Sequence, residues 1–262
     1  MPEAEPSTTV LQPPVERVGE PRRVLHAAVV LTGVAVAIFM VGIVVGFVII
    51  GRHGGGPIQG WDDSVGRWHL HHRGSLVGIS KVVATYFDAL PLGIICIVLT
   101  AVLAVTLRTS RALIPVVAYF GGEFQVFAIR TVIHRDRPPT ANYPAAGAVN
   151  GVHETSYSFP SGHSVAVTAV LFALLGCIAL TYRIWWPWLI ALVSSAFVID
   201  TRLVLGVHWF SDVTFGLLMG YAWGVAVAFV ARQVEWDDFL AMVRSDQERP
   251  ATSESRSGTD RP

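Results

Sequence analysis

The sequence predicts an all-α fold, a polytopic membrane protein built as a six-transmembrane-helix bundle, and three observations lead there. Hydrophobic residues make up 52% of the chain and charged residues 15%, with a mean hydropathy of +0.52, a balance that favours a membrane protein over a soluble one. Six long apolar runs are set apart by segments rich in Arg, Trp or Pro. The formal net charge is zero, so the overall balance suggests no nucleic-acid partner.

Residues 1–23 mix Pro, Glu, Ser and Thr without apolar periodicity and are expected to form a disordered tail that ends on Arg22 and Arg23. Val24 to Ile50 carries no Asp, Glu, Lys or Arg and exceeds both a signal-peptide core and the roughly 20 residues a helix needs to cross about 30 Å of hydrocarbon. Gly51 to Ser80 reads as a solvated connection with an interfacial helix anchored by Trp61 and Trp68. His69, His71 and His72 within it match no familiar metal-ligand spacing. A second span is expected over Ala89 to Leu107, with Val82 as an earlier possible start, and a third over Ala112 to Ala128. Glu123 in the third span must face the bundle, because a carboxyl in lipid is costly; structural hydrogen bonding is its expected role. The fourth span is Ser164 to Tyr182, the fifth Leu189 to Leu205 after an aromatic belt of Trp185, Trp186 and Trp188, and the sixth Val213 to Val230. Gly216, Gly220 and Gly224 in the sixth predict close helix packing. Cys96 and Cys177 fall in apolar runs and are expected to pack as small hydrophobes. The membrane domain is thus 24–232, and 233–262 is a second tail with an amphipathic start at Trp236 to Val243.

Six spans put both termini on one side and three polar segments on the other. The segment Arg202 to Asp212 places a guanidinium, an imidazole and a carboxylate between spans five and six. On a helix, His208 and Asp212 at i and i+4 would pair, leaving the second ring nitrogen free to act. Arg202 can serve the same ligand only if the backbone turns near Gly206. Arg130 and Arg137, followed by Pro138, sit at the exit of span three, close enough to clasp one small anion. Pro160-Ser161-Gly162-His163 opens span four, where free N–H groups and the helix dipole favour an anion and His163 is placed to exchange a proton. Arg22, Arg23, Arg108, Arg111, Arg183 and Arg232 on the termini side, set against Arg52, Arg67, Arg73 and Lys81 opposite, suggest cytoplasmic termini and an extracytoplasmic site.

These segments resemble the three motifs of the type 2 phosphatidic acid phosphatase superfamily, the membrane lipid-phosphate phosphatases: Lys-x6-Arg-Pro, Pro-Ser-Gly-His and Ser-Arg-x5-His-x3-Asp. They stand here as Arg130-x6-Arg137-Pro138, Pro160-Ser161-Gly162-His163 and Thr201-Arg202-x5-His208-x3-Asp212. Arg130 replaces the family's lysine and Thr201 its serine. The resemblance implies a lipid phosphate or diphosphate substrate and no metal or other cofactor. It implies His208 as the nucleophile that becomes phosphohistidine, Asp212 as its orienting carboxylate and His163 as proton donor and then base. Arg130, Arg137, Arg202, Ser161 and Gly162 would hold the phosphate oxygens. Two other readings stand beside this one: a catalytically silent relative that binds anionic lipids as a scaffold, and the vanadate-dependent haloperoxidases, soluble helical proteins that six apolar spans disfavour. The particular lipid and the oligomeric state are not legible.

Overall fold

The structure is a computed structural model, and it describes residues 20–107, 109–139 and 156–233. The expectations for the two tails, including the amphipathic start at Trp236 to Val243, lie largely or wholly outside the described residues. Eight α-helices are present among them: α1 Glu20–Val45, α2 Gln59–His72, α3 Leu76–Tyr86, α4 Ala89–Leu107, α5 Ile114–Arg130, α6 Gly162–Tyr182, α7 Trp186–Val204 and α8 Phe210–Gln233. Six of them, α1 and α4 to α8, are long and apolar enough to cross a membrane. The chain is a multi-pass membrane protein.

Local chemistry explains where the helices stop and start. α1 runs into a π-helical turn at Gly46–Ile50 and ends at Gly51, whose φ of 77° suits a residue without Cβ. Pro115 and Pro187 open α5 and α7, where a missing N–H costs nothing. Arg183 closes α6 in the left-handed conformation. Gly206, with φ 68°, makes the turn between α7 and α8 that the sequence requires.

α6 is apolar on every side, so it belongs in the middle of the bundle. It packs on α5, α7 and α8, and 67% of its apolar stretch is buried, against 17% for that of α4, which turns most of its surface outward. The seam between α6 and α8 is built on small residues: a Cβ at Gly220 would lie 2.6 Å from the Val165 carbonyl oxygen, and one at Gly224 would lie 2.5 Å from that of Ala169. Cys96 and Cys177 are buried and unlinked.

The connection between α1 and α4 differs from expectation. It holds two helices, α2 and α3, and the second span begins at Ala89 because the chain breaks at Phe87 and Asp88. Trp61 and Trp68 are exposed as interfacial anchors would be, but the opposite face of α2 turns inward and buries Asp62 completely.

Candidate active site

The first polar segment starts on the last residue of α5. Arg130 donates through Nε and Nη2 to the Pro160 carbonyl at 3.2 and 2.8 Å, and through Nη1 to Ser156 Oγ at 3.1 Å. Arg137 reaches the same serine, with Nη2 to Oγ at 3.1 Å and Nε to its carbonyl at 2.9 Å. The two guanidiniums therefore meet across Ser156. They do so because α5 ends at Arg130 and the chain from there to Pro139 is no longer helical.

The second segment delivers Ser161 as an extended N-cap residue to α6, with φ −70° and ψ 115°. Its N–H donates to the Asp212 carbonyl at 3.2 Å, which ties the start of α6 to the start of α8. Its hydroxyl is buried and has no hydrogen-bond partner among the described residues. The first-turn N–H groups of α6 have no carbonyl below them, so this end carries partial positive charge. A Cβ at Gly162 would come within 3.6 Å of Glu123 Oε1 and 3.7 Å of Arg130 Nη2, so Glu123 faces this site from inside the bundle. The His163 ring turns towards α3: Nε2 lies 3.2 Å from the Ala84 carbonyl and 3.9 Å from Asp88 Oδ1.

The third segment corrects one expectation. His208 and Asp212 do not share a helix; His208 lies in the α7–α8 turn and Asp212 in the first turn of α8. They meet across the helix start, His208 Nδ1 to Asp212 Oδ2 at 3.5 Å, while the same oxygen accepts the Trp209 N–H at 3.0 Å as a capping carboxylate does. Ser158 donates to Asp212 Oδ2, and its Oγ stands 3.4 Å from His208 Nδ1. On the far side of the ring, Arg137 Nη1 lies 3.1 Å from His208 Nε2 and 2.9 Å from the Val207 carbonyl. A guanidinium has no acceptor, so Nε2 must carry the lone pair and Nδ1 the proton. Arg202, fully buried at the end of α7, completes the cationic lining.

Burial holds the His208 pKa well below its ordinary 6.5, and the charges of Arg137, Arg202 and Arg130, with His163 behind them, press it further in the same direction. Both imidazoles and the three arginines thus share one end of the bundle and one electrostatic environment. Such a site can hold a tetrahedral anion against a neutral, correctly protonated imidazole.

Sequence reasoning missed the layer behind these residues. Arg135 is wholly buried, with Nη1 donating to Asp212 Oδ1 at 2.6 Å and to Ser211 Oγ at 2.7 Å, and Nη2 donating to Asp62 Oδ2 at 2.6 Å. Asp62 accepts in addition from the Ser211 N–H and Oγ, both at 2.7 Å. The available signal was a third arginine two residues before Arg137; nothing marked Asp62. Among the described residues no group of three His, Cys, Asp or Glu side chains is arranged to hold a metal, and His69 instead bonds Asp200 at 2.9 Å.

Comparisons with known proteins find similarity at the level of sequence and of fold. A family model of the PAP2 superfamily matches residues 111–236. Over 81 residues the chain is 36% identical to an undecaprenyl-diphosphatase of Sulfolobus acidocaldarius, a stretch covering 31% of this chain and 35% of the relative. The match thus spans about a third of that relative's length. The crystal structure of a transmembrane PAP2-type phosphatidylglycerolphosphate phosphatase from Bacillus subtilis superposes with a TM-score of 0.59 over 84% of this chain and 98% of that one, at 20% identity.

Proposed function

We propose that this chain, whose residues 111–236 match the PAP2 superfamily model, belongs to that superfamily and is a metal-independent phosphatase of a lipid phosphate or diphosphate. The reading takes 24–232 as the phosphatase unit with tails on either side, and sets the site at the outer membrane face with cytoplasmic termini. The two relatives, named for a diphosphate and for a phosphatidylglycerol phosphate, support the substrate class without choosing within it.

One observation carries the mechanism: the His208 ring is held at Nδ1 by Asp212 and Ser158 while Nε2 presents its lone pair to the arginine-lined space. Nε2 attacks phosphorus as the bond to the leaving oxygen breaks, and His163 gives that oxygen its proton. His163 Nε2 faces Ala84 and Asp88, which supports a leaving group on the α3 side. Water then attacks the phosphohistidine, His163 takes its proton, the N–P bond breaks and inorganic phosphate leaves. Arg130, Arg137, Arg202, Ser161 and the Gly162 N–H hold the oxygens, which is most of what phosphoryl transfer asks of a protein. Arg130 in place of lysine presents a planar fork where the family has a point charge.

The test is phosphate release by the purified protein in detergent with chelator present, across lipid phosphates and diphosphates. The wild type is expected to turn over at least one, and His208→Ala to abolish release; retained activity in the variant rules out the nucleophile. Tight lipid-phosphate binding without turnover would instead establish the silent scaffold. Labelling of Arg52→Cys in intact cells by a membrane-impermeant maleimide tests the outer-face orientation.

A further inference from the structure

We propose that Arg135 and Asp62 are positioning residues of the phosphoryl-transfer site, setting both the aim and the net charge of the carboxylate behind His208. This rests on the phosphatase reading above.

The argument begins with the two oxygens of Asp212. Oδ1 is taken by Arg135 at 2.6 Å, so Oδ2 alone is left for Ser158, the Trp209 N–H and His208 Nδ1. A carboxylate gripped at one oxygen cannot rotate, and the imidazole it orients inherits that fixed direction. Arg135 is fixed in turn. Asp62 holds its other terminal nitrogen at 2.6 Å, Ser211 Oγ accepts from Arg135 and donates to Asp62, and the guanidinium carbon lies 5.3 Å from the Trp209 ring centre. Asp62, Arg135 and Asp212 are all completely buried.

Charge supplies the second half. Arg135 alone would neutralise Asp212 and leave nothing to balance the positive charge that His208 gains as its Nε2 bonds to phosphorus. Asp62 restores one net negative charge to the trio. It comes from α2, outside the membrane-spanning helices, so docking of this helix completes the site. Besides that trio, the titratable and charged groups around His208 are Arg130 from α5, Arg137 from the segment after it, His163 from α6 and Arg202 from α7.

The test uses the full chain in detergent, with dioctanoyl phosphatidic acid and farnesyl diphosphate as probes and size-exclusion profiles to confirm folding. Asp62→Asn and Arg135→Gln are each expected to lower kcat by about 10- to 100-fold with KM held within about threefold. The acid limb of kcat/KM must move in opposite directions: down by about half a pH unit or more for Asp62→Asn, which removes a negative charge, and up for Arg135→Gln, which removes a positive one. The double variant, with the local charge unchanged, returns the limb to the wild-type position. Asp62→Asn is isosteric and carries the test by itself if Arg135→Gln does not fold. An unmoved acid limb, or unchanged kcat in a folded variant, overturns the proposal while wild-type turnover and a dead His208→Ala keep the phosphatase reading. No turnover of either probe by the wild type overturns that reading and this inference with it.

Discussion

Gly220→Ala puts the most heavily packed seam of the bundle under load. The new methyl would lie 2.6 Å from the Val165 carbonyl oxygen, 2.7 Å from Thr168 Cβ and 3.1 Å from the Ala169 nitrogen, where ordinary contact begins at 3.4 Å. The deficit of 0.8 Å is against backbone, which no rotamer change relieves, so α6 and α8 must part by nearly that distance. Overpacking of this kind costs about 1–3 kcal/mol, and a clash against backbone belongs at the upper end, above the gain of about 1 kcal/mol that alanine brings to a helix. The same two helices carry His163 and Asp212 at their first turns, joined by the 3.2 Å bond from the Ser161 N–H to the Asp212 carbonyl. A misplacement approaching 1 Å there costs on the order of 10²-fold in rate. Thermal melting in detergent and phosphate release read both effects, with Gly33→Ala as control because nothing lies within 4 Å of its new methyl. Gly216→Ala, whose methyl would meet Ser164 Cβ at 2.8 Å and the Ser161 carbonyl oxygen at 3.0 Å, should strike activity harder than stability. A Gly220→Ala protein that melts and turns over like the wild type would refute the close-packed seam.

Asp212→Asn should leave the protein folded, since Arg135 keeps Asp62, yet lower kcat by about 10²- to 10⁴-fold, because a neutral amide neither fixes the Nδ1–H tautomer nor balances the developing charge. His208 should stay neutral as pH falls through 6.5 and gain a higher pKa when orthovanadate offsets the arginines; histidine nitrogen spectra compared with those of a His208→Asn variant would show it. With the folded pKa depressed, the unfolded chain binds the proton first, so this group's contribution to stability is present above 6.5 and is lost as pH falls below it. His69 has the opposite sign: burial opposes its charge, but the Asp200 hydrogen bond, the Val65 carbonyl and the Asp200 charge together raise its pKa above 6.5. Its contribution is full below 6.5 and fades as pH rises through the raised value, so Asp200→Asn should lower the melting temperature more at about pH 5.5 than at about pH 8.5.

Much of this was legible in the chain. Apolar runs delimited the six spans to within a few residues because length and hydropathy are local properties, and Gly206 announced its turn because Arg202 and His208 could not otherwise face one ligand. The glycines of α8 marked the close seam for the same kind of reason. A misreading came where a local period was carried past its end. Helical spacing was applied to His208 and Asp212, although α8 starts after His208.

The sequence by itself determined the number of apolar spans, the shared face of the three polar segments and the identity of the imidazoles and guanidiniums gathered there. Tertiary structure alone decided what stands behind them. Asp62 and Arg135 are 73 residues apart, and Arg135 and Asp212 are 77 apart. No periodicity spans such distances: a buried charge finds its counter-ion through the docking of whole segments, and that docking is settled by packing across the entire bundle.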